Sequence, residues 1–564
     1  MENKEYMLID GNPVEINGEK NLLEVIRKAG IELPTFCYHS ELSVYGACRM
    51  CMVENSHGGM EAACSTVPKA GMEIYTNTER LHKHRKMILE LLLANHCRDC
   101  TTCQKNGKCR LQELASLFGL ESIRFKNLKP EPELDTSSLS IIRDAHKCIL
   151  CGDCVRMCNE IQNVGAIDFV NRGSKMVIGP AFNEPIANSP CVGCGQCAAV
   201  CPTGAIVIRK DTGRVWPELN DKNTKVVAQV APAVRVAMAK EFGLPENENS
   251  MGRITAALRR LGFDEVYDTA TGADLTVLEE SNEFLQRIEA GENLPLITSC
   301  CPAWIQYCEK NHPELMKNVS TCKSPMQMFS SVIKAKYATS SRRVVCVAVM
   351  PCTAKKFECA REEFMHDGIP ETDYVITTQE LIQMIHKAGI VFEELEPEAV
   401  DSVFSPCTGA GVIFGVTGGV TEAVLRRLST DKSNKALMSI AFNDVRGMKG
   451  VKETTIPYGD KEVRIAIVSG LKNAEKVIQA LKNGEHYDFI EVMACPGGCV
   501  AGGGQPFGTN ATKEVRGKAL YSADKMLSIK RSEENPLMLS LYDGVLKGRV
   551  HELLHVHYNH KEEE

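Results

Sequence analysis

The chain has 564 residues, 44% hydrophobic and 24% charged, with a formal net charge of −7. This balance is ordinary for globular protein and excludes a disordered or fibrous chain; the acidic excess argues against a nucleic-acid partner. No run approaches the roughly 18 uninterrupted apolar residues of a membrane helix, and MENKEYMLID lacks the basic and apolar regions of a secretory signal. A cytoplasmic protein with no membrane partner is expected, and 564 residues suggest about four domains. The outlying number is 26 cysteines. In a reducing compartment disulfides are rare, so this many thiols points to metal chemistry.

In chain order, residues 5–36 read as short alternating strands, a turn at Gly11-Asn12-Pro13 and a helix over 21–29. They precede Cys37, Cys48, Cys51 and Cys64. The C-x-x-C pair with distant flanking cysteines resembles a plant-type 2Fe-2S domain of β-grasp type over 1–78, with a longer gap before the central pair. Structural zinc is the plainer alternative. Next come His96, Cys100, Cys103 and Cys109, spaced H-x-x-x-C-x-x-C-x-x-x-x-x-C. Taken alone, three thiolates and an imidazole could hold zinc. Between two other cluster modules, a 4Fe-4S cluster with one histidine ligand is the expectation for 79–125, with Cys97 a non-ligand.

Two runs follow with the spacing C-x-x-C-x-x-C-x-x-x-C, at Cys148, Cys151, Cys154, Cys158 and at Cys191, Cys194, Cys197, Cys201. This is the two-cluster bacterial ferredoxin pattern, in which the fourth cysteine of each run serves the other cluster. The spacing therefore predicts one 4Fe-4S site from Cys148, Cys151, Cys154 and Cys201, and another from Cys191, Cys194, Cys197 and Cys158, within a module over 138–209. Residues 1–209 read as a wire of clusters in series.

Residues 202–299 contain no cysteine, and apolar runs now alternate with helical stretches. That pattern predicts a larger α/β domain from residue 210 with mostly parallel sheets. Three strand-like runs, at 294–297, 344–349 and 487–492, each lead into a cysteine-bearing loop: TSCCPAW (298–304), MPCTAKKFE (350–358) and EVMACPGGCVAGGGQP (491–506). Ligand sites in open α/β sheets lie at such carboxyl ends. Cys308, Cys322 and Cys346 suit buried core positions better.

These three segments resemble the signature motifs of iron-iron hydrogenases, and the order of the front modules is similar to the long clostridial monomeric form of that family. The resemblance covers essentially the whole chain, and implies that the α/β domain spans 210–530 and is followed by a small-subunit-like tail over 531–564. It implies a 4Fe-4S cluster on Cys301, Cys352, Cys495 and Cys499, with Cys499 bridging to a two-iron centre bearing CO, CN⁻ and a dithiolate, together called the H-cluster. It places Pro232, Ala233, Ser324, Met350, Lys355 and Met493 around that centre, Lys355 as a charge-assisted donor to cyanide. It further implies the reaction 2H⁺ + 2e⁻ ⇌ H₂, maturation proteins that install the two-iron centre, and soluble ferredoxin or flavodoxin as electron partner. Cys300 would exchange a proton with the bridgehead amine, and the path outward would run Cys300, Glu280, Ser320, Glu283, Arg287. Glu280, Glu283 and Arg287 fall on one face of a helix expected over 272–288; without the resemblance, a solvated helix with a Glu283–Arg287 pair would explain them. The departures are Ala303 where the family often has Gly, and Val416 and Thr421 within a glycine-rich stretch.

Other signals compete. HELLH (551–555) matches the H-E-x-x-H zinc-protease motif, but so near the chain end a third ligand would have to be His560 or a terminal glutamate. GAGVIFG (409–415) misses the dinucleotide fingerprint by one residue, and no phosphate-binding loop occurs. The large cluster-bearing component of respiratory NADH dehydrogenase shares the front modules but lacks the three catalytic motifs. A hydrogen-sensing or electron-relaying homologue without high turnover is the remaining alternative.

Overall fold

The computed structural model describes residues 5–127, 133–429, 445–448, 450–458 and 461–558. The front of the chain is a five-stranded sheet in the order β2-β1-β5-β3-β4, built from Glu5–Ile9 (β1), Asn12–Ile16 (β2), Met52–Asn55 (β3), Met60–Ala62 (β4) and Glu73–Tyr75 (β5). The β1–β2 turn falls one residue earlier than the sequence suggests. Asp10 and Gly11 both adopt positive φ, 49° and 80°, and Pro13 pairs with Leu8 inside β2. Proline is tolerated there because β2 is an edge strand. The helix Leu22–Lys28 is capped by Asn21, whose side chain accepts from the Glu24 amide. A 16-residue helix, Glu79–Ala94, then leads to the second cysteine burst.

The ferredoxin-like module is small. Ile141–Arg143 (β6) pairs antiparallel with Ile206–Ile208 (β9), closing the module end to end, and Asp168–Val170 (β7) pairs with Val177–Gly179 (β8).

Beyond it lie two four-stranded sheets. The first is wholly parallel, in the order β11-β10-β13-β16, with strands Thr224–Val230 (β10), Glu265–Asp268 (β11), Arg343–Met350 (β13) and Tyr374–Thr377 (β16). The second, β12-β19-β18-β17, joins Leu296–Ile297 (β12), Phe489–Met493 (β19), Lys461–Ser469 (β18) and Val451–Tyr458 (β17). Its β12, β19 and β18 are parallel, and β17 adds an antiparallel edge. A two-stranded hairpin, Met365–His366 (β14) with Ile369–Pro370 (β15), stands apart. The expected α/β architecture with mostly parallel sheets is present. The central strands β10 and β13 are buried along nearly their whole length, as strands covered on both faces must be.

The helix expected over 272–288 spans Ala270–Ala290, and its first twelve residues are all buried. It packs so closely on Gly409–Val412 that a Cβ on Gly411 would lie 2.3 Å from the Ala270 carbonyl. The glycines of GAGVIFG thus serve helix packing. The tail helix Val550–Leu554 carries HELLH, and His555 turns inward: Nε2 lies 3.1 Å from Glu279, and Nδ1 lies 2.9 Å from the Thr321 hydroxyl. Glu552 pairs with Arg549 instead. The motif is therefore a packing and ion-pair device; His560 lies outside the described residues.

Candidate active site

Three strands in two sheets end at one place. The loops after β12, β13 and β19 bring Cys300, Cys301, Cys352, Cys495 and Cys499 onto a single cavity of ≈ 90 Å³, several times the ~10–15 Å³ a water needs. Pro232, Ala233, Met350, Lys355 and Met493 line it too. Ser324 stands just behind. It precedes the helix Pro325–Lys336, whose first residues Pro325 and Met326 reach the wall. Its hydroxyl is buried and has no hydrogen-bond partner among the described residues. The sequence did not signal Thr269, Ala273, Phe414 or Gly415, which complete the wall.

Four thiols in this cavity suit a multi-iron cluster. Burial pushes every one of them up, Cys352 to about 11, and for Cys495 and Cys499 the neighbouring cysteines add to it. Ionising four adjacent buried thiols is unfavourable unless iron supplies the compensating positive charge. The glycines agree. Gly497 and Gly498 have φ of 95° and 87°, and a Cβ on Gly498 would meet the Thr417 amide at 2.6 Å. On Gly502 it would lie 2.2 Å from the Pro351 carbonyl. Only glycine allows these loops to close round the cavity.

Lys355 is buried. Burial lowers its pKa, but the carboxylate of Glu358, 2.7 Å away, outweighs that and the net shift is upward. The ammonium also reaches the Cys300 carbonyl at 3.3 Å. Glu358 went unremarked in the sequence, although three residues past Lys355 on one short helix is where a partner should be sought.

The predicted proton path is half connected. Ser320 Oγ donates to Glu283 at 2.7 Å, and Glu283 pairs with Arg287 at 2.6 Å. Glu280 is fully buried, and among the described residues neither carboxyl oxygen makes a hydrogen bond of good geometry, though the Ser299 amide and the Ser320 hydroxyl come close enough to temper its pKa. Burial, with the charges of Glu283 and Glu491 adding, pushes its carboxyl up to about 8. The Cys300 thiol is raised first by burial and then by Glu280. Cys300 and Glu280 are thus neighbours with no direct hydrogen bond between them. A second buried carboxylate, Glu491 on β19, accepts from the amides of Gly418 and Thr421 and from the Thr421 hydroxyl, at 2.7 to 2.8 Å. This gives Thr421 a function: it is a donor to Glu491.

The accessory cysteines fall into sets. Cys148, Cys151, Cys154 and Cys201 line one cavity, and Cys158, Cys191, Cys194 and Cys197 line another. At the front, the Cys48 amide donates to Cys37 Sγ at 3.3 Å, and the thiols of Cys37 and Cys48, like those of Cys51 and Cys64, lie close enough to perturb each other. Cys109 feels the charges of Cys103 and Cys100, though its own burial matters more. His96 is buried, with Nδ1 3.0 Å from the Arg98 amide. Cys308, Cys322 and Cys346 are buried, Cys308 in one apolar cluster and Cys322 and Cys346 together in another.

The relatives decide the family. The chain is 41% identical over 98% of its length to the NADP-reducing hydrogenase subunit HndD of Solidesulfovibrio fructosivorans, covering 98% of that protein. It is 35% identical, again over 98% of its length, to iron hydrogenase 1 of Clostridium pasteurianum, of which it covers 99%. The chain belongs to the iron-only, or FeFe, hydrogenases. Residues 224–503 match the C-terminal domain of the iron-only hydrogenase large subunit, and residues 510–561 match the iron hydrogenase small subunit. The front of this hydrogenase matches a 2Fe-2S cluster-binding domain (6–79), the NADH-ubiquinone oxidoreductase-G iron-sulfur region (85–124) and a 4Fe-4S dicluster domain (147–209). A solved variant of the FeFe-hydrogenase of Chlamydomonas reinhardtii superposes with a TM-score of 0.54 at 37% identity, covering 62% of this chain and 98% of that one. Among the described residues no helix is long and apolar enough to cross a membrane.

Proposed function

We propose that this hydrogenase interconverts protons and H₂ at an H-cluster held by Cys301, Cys352, Cys495 and Cys499. Electrons travel through four further clusters: a 2Fe-2S cluster on Cys37, Cys48, Cys51 and Cys64, and three 4Fe-4S clusters. One of these rests on His96, Cys100, Cys103 and Cys109, and two on the crossed sets of the ferredoxin-like module. The module limits are those drawn from the sequence, 1–78, 79–125, 138–209, 210–530 and 531–564. The carrying observation is the cavity where thiols from three distant loops meet beside Cys300 and Lys355. When bound, the two-iron centre supplies the redox and hydrogen-activating chemistry.

The chain's own residues do the rest. Pro232, Ala233, Met350 and Met493 wall the cavity against water. Lys355, held by Glu358, presents a fixed cation to an anionic cofactor ligand. Cys300 and Glu280 hold and pass a proton at Sγ and at the carboxyl, the latter poised near neutrality. Ser320, Glu283 and Arg287 carry the path outward. Infrared bands of metal-bound CO and CN⁻ in protein matured with its assembly factors, together with H₂ evolution, test the reading; absence of those bands overturns it.

For the electron partner, soluble ferredoxin or flavodoxin fits a chain without a nucleotide fingerprint. The likeness to a subunit of an NADP-reducing hydrogenase favours a second reading, in which a partner protein receives the electrons and reduces the nucleotide. Purified protein that reduces ferredoxin with H₂ at high rate supports the first; reduction of NADP only on addition of partner proteins supports the second.

A further inference from the structure

The ferredoxin-like module and the catalytic loops meet in a tight seam. The Thr353 hydroxyl, next to Cys352, donates to the Gly193 carbonyl at 2.7 Å, and Ser140 Oγ donates to the Thr353 carbonyl at 3.0 Å. Gly503 lies so close that an added Cβ would be 2.4 Å from the Cys194 carbonyl. Across the middle of this seam reaches Gln196, a buried side chain between Cys194 and Cys197 in sequence. Its Nε2 donates to Cys495 Sγ at 3.2 Å and to the Ala501 carbonyl at 2.9 Å. One amide thus ties the thiol run of the last accessory site to a cysteine of the catalytic site, 299 residues away.

We propose that Gln196 is a positioning residue for electron transfer, raising the reduction potential of the cluster held by Cys495 through its N–H···S hydrogen bond and fixing the gap between the two sites. The inference rests on the cluster assignment above. Hydrogen bonds to cluster sulfurs are a main determinant of potential, because a donor stabilises the extra negative charge of the reduced form. The transfer concerned moves one electron and makes or breaks no bond: the accessory side is oxidised by one, the Cys495 side reduced by one. The external carrier supplies the electron, or H₂ does in the opposite direction. A neutral amide suits this position, since it donates without adding a charge that would itself need compensation.

The test is a redox titration followed by electron paramagnetic resonance on cluster-loaded full-length protein, comparing wild type with Gln196→Leu and Gln196→Glu. In Gln196→Leu the reduced-to-oxidised ratio of the Cys495 cluster at fixed potential should fall about tenfold, a downward shift of about 59 mV for a one-electron couple. Gln196→Glu, titrated at a pH alkaline enough to ionise the buried carboxyl, should fall further, since a carboxylate cannot donate and repels the thiolate, while the other clusters keep their potentials. If Gln196→Leu does not accumulate, Gln196→Asn keeps the amide but withdraws it by one methylene and should show the same downward shift. A wild-type signal from the Cys495 cluster whose potential stays put in these variants overturns the inference alone. Wild-type protein with no such signal overturns the cluster assignment and the inference with it.

Discussion

Two routes reach the same cavity, and their chemistry differs. On the ferredoxin side the approach is buried and closely packed: backbone against backbone at Gly503 and Cys194, with one neutral amide bridging the gap. On the helix side the approach is a row of ionisable groups, Glu280, Glu283 and Arg287, with Ser320 between. An electron needs only closeness and a favourable potential. A proton needs titratable atoms within hydrogen-bonding reach at every step, and some of those atoms must be left without fixed partners so that they can be filled in turn. The weakly bonded, buried carboxyl of Glu280 would count as a defect in an ordinary core, because a poorly satisfied buried group carries a penalty. On the proton route proposed above it is a position that can be filled and emptied.

Lesions on the two routes should therefore be distinguishable. The largest loss is expected from Cys300→Ser, which removes the group nearest the cavity: H₂ evolution should fall by about 10²–10⁴, the range for a lost acid–base group. Cluster content and potentials, read by paramagnetic resonance, should not move. Glu280→Gln should cost about 10² on the same scale, and an unchanged rate would remove it from the path. The Gln196 variants should slow turnover less, but shift a potential that the proton-side variants leave alone.

Glu280 also makes a pH prediction. Its folded carboxyl titrates near 8 against an ordinary value of 4.5. Between those limits the folded chain holds a proton that the unfolded chain has released, so stability falls as pH rises through that window. Thermal melts from pH 5 to 8 should show Glu280→Gln gaining on wild type as pH increases; parallel curves would contradict the assignment. Smaller again, Thr421→Val removes one donor from the buried carboxylate of Glu491 and should destabilise by about 1–3 kcal/mol, with little effect on potentials. Least is expected of His555→Gln, roughly 1 kcal/mol for a lost hydrogen-bonded pair, with metal content unchanged because its ring is committed to Glu279 and Thr321.

Much of the site could be read from the chain because cluster ligands leave a local trace. Fixed spacing within a run foretold that Cys201 would join Cys148 and Cys158 would join Cys191, and the cavities group them that way. The strand ends at Met350 and Met493 were visible as β-branched runs stopping at cysteines. What stayed hidden depends on contacts between distant segments. A glutamine beside Cys197 has no periodicity to announce that it reaches the distant Cys495. Glu491 was visible as a charge inside an apolar strand, yet its donors lie 70 and 73 residues away. HELLH shows the converse risk: a motif with perfect spacing whose second histidine is turned inward to hydrogen-bond Glu279 and Thr321.

The crossing of the two cysteine runs has a consequence for how the front of the enzyme comes apart. On the proposed assignment, with Cys158 in the later set and Cys201 in the earlier, each of the two clusters would tie one run to the other and close the segment between them into a loop. Neither fastening can be completed until the second run has left the ribosome. Once both are made, releasing iron from either one frees a cysteine on the other side of the loop. Damage at one centre is thereby handed to its neighbour, and the pair should be gained and lost as a unit.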